Sequence, residues 1–244
     1  MPSPRRRSGP PLPYRPLAGV VPCPGGWLAV SGKLVGTTLV PDGIEVYERL
    51  VDVLEHRPGY EIVGLHAPVG LPPRSTPGGR RCDHEARALL GWARGGAVMS
   101  APPRSVLRCR TYESARRKHS VLSAVEFALL PRIAEVDTVV QPYLQRTVHE
   151  THPELSFHQL NGDASLRYAK HTTEGRAERR RLVEAKLPAV TPMIDRRLTG
   201  TTLEHRIDAA ATLWTARRIA SRGVLRLPAQ PDWDERGLRM EILR

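Results

Sequence analysis

A short apolar run that ends in a proline-rich loop is the feature that most constrains this fold. Residues 61–65 have the pattern of a strand buried in a sheet. The next segment cannot extend that strand, because it contains Pro68, Gly70, Pro72 and Pro73. We therefore expect His66 where the strand ends and a loop opens. In open α/β sheets, ligands bind in the crevice at the carboxyl ends of the strands.

The loop that follows His66 has the parts of a site for an anion. It carries the pairs Gly78-Gly79 and Arg80-Arg81, followed by a predicted helix start at Asp83. A flexible cationic loop and a helix N-terminus both favour a negatively charged ligand. Two interpretations stay open from this stretch alone: an anion-binding site, or an ordinary strand-to-helix connection with solvated charges.

Periodicity along the rest of the chain predicts one α/β domain. A strand is expected over 18–30 with a Pro/Gly kink, then a turn at Ser31-Gly32, an antiparallel partner over 33–40 and a helix over 44–56. Helices are further expected over 83–92, 112–118, 121–136, 175–186 and 203–222, and strands over 146–154 and 237–243. We predict a single domain over 18–244, with a helical insertion at about 76–140 and a disordered Pro/Arg-rich leader over 1–17.

Composition narrows the classes of partner and compartment. The chain has 244 residues, of which 40% are hydrophobic and 25% charged, and no apolar run is long enough to cross a bilayer. Its formal net charge of +12 suits an anionic partner such as a nucleic acid, a nucleotide or a phosphorylated small molecule. Three cysteines without paired spacing argue against a disulfide framework, and no secretory signal is visible, so we expect a cytoplasmic protein without a membrane partner.

Seven short motifs follow one another from about residue 18 to the C-terminus. They are Cys23-Pro-Gly-Gly-Trp27, Ala67-Pro-Val-Gly-Leu-Pro72, Gly78-Gly-Arg-Arg-Cys-Asp83-His-Glu-Ala-Arg87, Ala101-Pro-Pro-Arg104, His152-Pro-Glu-Leu-Ser-Phe157, Lys170 with Gly175-Arg-Ala-Glu-Arg179, and Asp208-Ala with Trp214-Thr-Ala-Arg-Arg218. In this order they resemble the bacterial domain-of-unknown-function family 429, which is described as a predicted RNase H-like nuclease. The resemblance implies an RNase H-like mixed sheet with helices on both faces. It also implies acids that bind two Mg²⁺ ions for phosphodiester hydrolysis.

This chain departs from the family pattern at two of the acids. Val21 and His66 stand where the pattern has aspartates, while Glu154 and Asp208 are kept, with Glu150 and Glu204 nearby. Valine cannot bind a cation, and histidine is a poor Mg²⁺ ligand. The resemblance therefore implies a degraded metal centre, and we expect no metal ion or other cofactor.

The rest of the implied pocket is present. We predict a catalytic group made of His66, Glu154, Lys170 and Asp208, and a substrate-binding group made of Arg80, Arg81, Asp83, His152, Arg176 and Arg179. A neutral imidazole beside carboxylates and arginines suits general acid/base chemistry near neutral pH. An alternative role for His152 is to orient Glu154 through a hydrogen bond.

Three functions remain open from the sequence. The first is a protein that binds a nucleic acid or nucleotide and has little or no nuclease activity. The second is a metal-independent enzyme on a small anionic metabolite, with His66 and either Glu154 or Asp208 as acid and base. The third is an active nuclease that holds a metal ion with Glu154, Asp208 and their neighbours.

Overall fold

A five-stranded mixed sheet forms the centre of the protein, in a computed structural model that describes residues 13–244. Its strands are β1 (Arg15–Cys23), β2 (Gly26–Val35), β3 (Thr38–Tyr47), β4 (Ile62–Leu65) and β5 (Val148–Glu150), in the order β3-β2-β1-β4-β5. Strand β2 runs antiparallel to β1 and β3, whereas β1, β4 and β5 are mutually parallel. The predicted α/β class, a mixed sheet flanked by helices, is confirmed, and the structure is consistent with the RNase H-like fold that the family resemblance implies.

Helices connect β3 to β4 and β4 to β5, and four more follow β5. They are α1 (Leu50–Leu54), α2 (Arg81–Gly95), α3 (Arg104–Leu107), α4 (Tyr112–Lys118), α5 (Ala124–Val139), α6 (Pro153–Leu160), α7 (Thr173–Lys186), α8 (Thr191–Asp195) and α9 (Leu203–Ala220). A separate hairpin follows, made of β6 (Arg226–Trp233) and β7 (Arg239–Leu243). Helices α2 to α5 lie between β4 and β5, the segment in which the helical insertion was predicted. Across residues 13–244, no helix combines the length and apolar character needed to span a membrane.

Alternation along β1 explains why both faces of the sheet are covered. Leu17 and Val21 point to one face and pack in a core that includes residues of α9. Ala18 and Val20 point to the other face and pack with apolar residues of α1 and α5. A central strand buried on both sides requires a continuous apolar run, which β1 provides from Leu17 to Val21.

Two glycines let α9 approach the sheet closely. A Cβ added to Gly19 would lie closer than 3.0 Å to the backbone of Ala209 and Leu213, and one added to Gly64 would press on Thr212. Thr202 caps the first turn of α9, since its hydroxyl accepts a hydrogen bond from the backbone N–H of His205. This close packing brings Asp208 beneath the carboxyl ends of the parallel strands.

The first three strands correct the predicted pairing. The Pro/Gly kink is the turn of the β1–β2 hairpin, because Cys23 pairs with Gly26. Ser31 and Gly32 lie inside β2 at a bulge, so they are not the turn that we predicted. Strand β3 consequently extends to Tyr47, and the helix predicted over 44–56 is reduced to α1. Pairing with β2 outweighs the helical spacing of apolar residues in this segment.

The N-terminal boundary of the sheet also differs from the prediction. Strand β1 begins at Arg15, whose guanidinium donates a hydrogen bond to Glu61 at 2.7 Å, and Leu17 is buried. Residues 15–17 therefore belong to the sheet and not to the predicted leader. The first twelve residues of that leader lie outside the described residues, so their predicted disorder stays a prediction.

We expect Gly19→Ala to lower the free energy of unfolding by about 3 kcal/mol, because its methyl group must displace the backbone of α9. Gly223→Ala is the matched control, since the nearest atom to a Cβ there is 3.8 Å away. Urea denaturation of both variants measures the difference. Equal midpoints for the two variants would show that α9 does not depend on this close approach.

Candidate functional site

A cavity of about 410 Å³ opens at the carboxyl ends of β1, β4 and β5. Its inner wall comes from residues at or just after the strand ends, namely Pro22, His66, Thr151 and His152, together with Lys170. The opposite wall comes from the helical insertion and includes Val98, Met99, Ser123, Leu129, Arg132 and Ile133. The insertion therefore converts an open crevice at the strand ends into an enclosed pocket.

His66 occupies the position that the sequence predicts for it. Its backbone N–H donates to the carbonyl of Val20 at 2.8 Å, directly beyond the last residue of β4. Its half-buried ring stands edge-on to His152, with 4.8 Å between ring centroids. Burial, together with the nearby His152 and Lys170, lowers the pKa of His66 well below its ordinary value. The ring is therefore neutral at physiological pH.

His152 is held by hydrogen bonds at both ring nitrogens. Nδ1 accepts from the backbone N–H of Glu154 at 3.2 Å, and Nε2 lies 3.2 Å from the carbonyl of Ala97, to which it donates. Burial lowers the pKa of His152 to about 4, which keeps this arrangement neutral. His152 thus caps α6 and joins it to the insertion. It positions the backbone of Glu154, and neither nitrogen is free to bind a substrate.

Glu154 and Arg179 form a closed pair behind the cavity. Arg179 Nε donates to Glu154 Oε1 at 2.9 Å and Nη2 donates to Oε2 at 2.8 Å, with both side chains buried. Nη1 of Arg179 donates to the carbonyl oxygens of Tyr168 and Gly175. Arg179 and Glu154 thus satisfy each other as a bidentate, buried ion pair, and neither group is available to a ligand.

A second buried cluster joins the end of β5 to the start of α2. Arg80 bonds both Asp83 and Glu150, with its Nη2 at 2.7 Å from Asp83 Oδ1 and 2.6 Å from Glu150 Oε1. Glu150 also accepts from the backbone N–H of Val69, and Asp83 accepts from that of Ala101. Burial raises the pKa of Glu150 to about 7, and the Arg80 guanidinium acts in the opposite direction. Arg80 and Asp83 line the cavity, but their polar atoms are committed to each other.

Lys170 and Asp208 form a pair that is open on one side. The ammonium donates to Oδ2 of the buried Asp208, while 39% of the lysine side chain remains exposed. Burial opposes the charge on Lys170, and Asp208 more than offsets that effect, so the pKa of Lys170 is raised. Oδ1 of Asp208 is buried and has no hydrogen-bond partner among the described residues. This pair therefore retains unused hydrogen-bonding capacity beside His66.

Three predicted binding residues do not line the cavity. Arg179 lies behind it, Arg176 pairs with Glu204 at 2.9 Å, and the exposed Arg81 contacts Asp232 of β6. Of the predicted catalytic residues, Glu154 and Asp208 also lie outside its lining. Sequence reasoning missed four polar residues that do line it, Ser123, Glu126, Arg132 and Thr151. Thr151 directly precedes the His152 motif, so its position in the sequence could have predicted that it lines the site. Arg132 lies inside a mostly apolar helix that has no local mark of a binding site.

The side chains present do not fit the two-metal centre that the family resemblance implies. Val21 is buried and offers no donor atom, and His66 offers nitrogen where Mg²⁺ prefers oxygen. Both oxygens of Glu154 are bonded to Arg179, and one oxygen of Asp208 is bonded to Lys170. Within residues 13–244 no group of three or more His, Cys, Asp or Glu side chains is arranged to hold a metal ion.

The fold and the groups at its strand ends define an α/β protein whose buried acids are paired with basic side chains. The chain belongs to the family described as "Protein of unknown function (DUF429)", whose model matches residues 19–233. The family resemblance predicted from the seven motifs is thereby confirmed. No curated protein and no solved structure matches the chain.

We expect Arg179→Met to lower the free energy of unfolding by about 3–5 kcal/mol, because it leaves the Glu154 carboxylate buried without a cation. Adding Glu154→Gln should restore part of that loss, since the double variant has no buried charge at this place. Urea denaturation at neutral pH measures both effects.

Arg180→Met is the control for this prediction. Arg180 is the next residue of α7, and its ion pairs with Glu184 and Asp195 are partly exposed, so its removal should cost at most about 1 kcal/mol. Equal losses for Arg179→Met and Arg180→Met would contradict the closed, buried pair.

Proposed function

We propose that the protein binds an anionic ligand, a nucleotide or one unit of a nucleic acid, in the cavity at the strand ends and has little or no nuclease activity. The observation that carries the proposal is the position of Lys170. An ammonium has three N–H donors, and within the described residues Lys170 gives one hydrogen bond, to Asp208. The side chain lines the cavity, so its other donors can bond a ligand oxygen.

The size and lining of the cavity support a ligand with both an anionic and an apolar part. Its volume of about 410 Å³ falls in the usual range of small-molecule sites. Lys170 and Arg132 supply the cations, and Met99, Leu129 and Ile133 offer an apolar wall for a ring. The net charge of +12 favours the approach of an anion.

The pairing of the acids supports the absence of metal-dependent hydrolysis. A two-metal route needs carboxylate oxygens that are free to clamp the ions. Here Arg179 binds both oxygens of Glu154, and Lys170 binds one oxygen of Asp208.

We also propose a cytoplasmic location, which is supported by the free thiols of Cys23, Cys82 and Cys109.

We expect the double variant Lys170→Met with Asp208→Asn to bind a mononucleotide about tenfold or more weakly than the wild-type chain. The reason is the loss of a charge-assisted hydrogen bond to the ligand, which is worth about 1.5–3 kcal/mol. Removing both members of the pair leaves no buried charge unpaired. Isothermal titration calorimetry in the presence of a chelator measures the affinity.

Arg176→Gln is the control for this titration, because Arg176 is a nearby arginine that does not line the cavity. The affinity of this variant for the mononucleotide should match that of the wild type.

A parallel assay incubates labelled DNA and RNA with the wild-type chain in Mg²⁺ or Mn²⁺. Metal-dependent cleavage at ordinary rates, or a failure of mononucleotides and phosphate to bind, would overturn the proposal.

A second candidate function is acid/base catalysis without a metal on a small anionic metabolite. It is favoured by His66, whose neutral ring lines the cavity and makes no side-chain hydrogen bond within the described residues. The Lys170 ammonium would hold the anionic group while His66 accepts a proton. Of the two predicted carboxylate partners, Asp208 is favoured over Glu154, because both oxygens of Glu154 accept hydrogen bonds from Arg179 whereas Oδ1 of Asp208 has no partner among the described residues.

This candidate predicts an unusual reactivity of His66 towards diethyl pyrocarbonate, which attacks neutral imidazole. Because its pKa is lowered, His66 should keep its rate of modification as the pH falls from about 7 to about 5, whereas N-acetylhistidine, with an ordinary pKa near 6.5, should slow down. Peptide mass spectrometry measures the rate at each pH. His152 is the internal control and should stay unmodified in the folded chain. A rate at His66 that falls in parallel with N-acetylhistidine would remove this candidate.

A further inference from the structure

The helical insertion carries a cluster of exposed cations that lack acidic partners. We call it the basic surface and define it by the side chains of Arg108, Arg110, Arg116, Arg117 and Lys118. All five are exposed, and within the described residues none of them forms an ion pair. Glu113 is the single acidic residue between positions 105 and 121. Buried arginines such as Arg80 and Arg179, by contrast, are paired with carboxylates.

The basic surface adjoins the mouth of the cavity. Arg116 donates to the carbonyl of Ser120 at 3.1 Å, and Tyr112 Oη donates to the carbonyl of Leu122 at 3.1 Å. The next residue, Ser123, caps α5 and lines the cavity. A chain of phosphates lying along α4 would therefore reach the cavity lining across a loop of four residues, 119–122.

We propose that the basic surface binds the sugar–phosphate backbone of a single nucleic-acid strand, one unit of which enters the cavity at the strand ends. This inference rests on the proposed function. It narrows the class of ligand from any nucleotide to one nucleotide unit of a single nucleic-acid strand. Arginines predominate in the cluster, and their planar guanidinium groups match phosphate oxygens in pairs. Single strands suit the site because a base must be unpaired to enter a pocket of this size.

A membrane surface fits these observations less well. An interfacial helix needs a wide apolar face beside its cations. Helix α4 has seven residues, and its apolar Ala115 is fully buried against the insertion. Of the exposed side chains of α4, three are cationic and one, Glu113, is acidic, so the helix presents a polar face of net positive charge to solvent, which favours a polyanion.

The test compares two triple variants with the same change in charge. One is Arg116→Gln, Arg117→Gln and Lys118→Gln in the basic surface. The other, the control, is Arg181→Gln, Arg196→Gln and Arg197→Gln, which removes three exposed cations that likewise form no ion pair among the described residues. Fluorescence anisotropy of a labelled oligothymidylate, with chelator present, gives the affinity at a series of salt concentrations.

We expect the wild-type chain and the control to bind the strand with a similar, steep salt dependence. The basic-surface variant should bind about tenfold or more weakly, and its slope of log K against log salt should be shallower by about 2, or about 0.7 for each phosphate that the variant no longer neutralises. Its affinity for a mononucleotide should stay at the wild-type value, because the cavity is unchanged. Circular dichroism confirms that both variants remain folded.

Other outcomes separate this inference from the proposed function. If a mononucleotide binds but the strand binds no better, the basic surface is not a backbone site and the proposed function stands. If neither binds, both proposals fail. Equal losses of oligothymidylate affinity in the two triple variants would show that only the net charge matters, and would overturn the inference. Binding to anionic vesicles in preference to the oligothymidylate would also overturn it.

Discussion

A carboxylate taken out of water needs a cation beside it, and this requirement organises the whole strand-end region. Glu154 is bonded to Arg179, Asp208 to Lys170, and Glu150 shares Arg80 with Asp83. Breaking such a pair costs several kcal/mol, because the remaining charge stays buried. Each pair also joins separate elements, so the same interactions that neutralise the acids hold α2, α6, α7 and α9 against the ends of the strands.

The close approach of α9 is what makes these pairs possible. Gly19 and Gly64 remove two side chains from the surface on which α9 lies, and Asp208 directly precedes Ala209, whose carbonyl a Cβ on Gly19 would meet. The insertion closes the opposite side through His152, whose ring links α6 to the carbonyl of Ala97. A sheet edge that would be an open crevice in the bare fold becomes a cavity with a polar floor and a largely apolar wall.

Local patterns in the sequence predicted what depends on local chemistry. The end of β4 at His66, helices α4, α7 and α9, and the α/β class follow from proline positions and apolar spacing. Strand β6 and the register of the first hairpin depend on which residues pair across a turn, which periodicity does not show. Arg80 and Arg179 look like ligand-binding residues in the sequence, since a guanidinium carries the same charge in either role. Only their burial against Glu150 and Glu154 shows that they serve the fold.

The difference between arginine and lysine at the strand ends decides where chemistry can occur. Arg179 presents a planar fork that satisfies both oxygens of Glu154, so that pair is chemically closed. Lys170 is a point charge with three donors, and its bond to Asp208 leaves the others directed to solvent or ligand. Because the ammonium donates to Oδ2 of Asp208, that oxygen could bind a divalent ion only if Lys170 were displaced. An aspartate restored at position 21 or 66 would leave this pair in place, so recovery of a metal centre at Asp208 requires the removal of Lys170 as well.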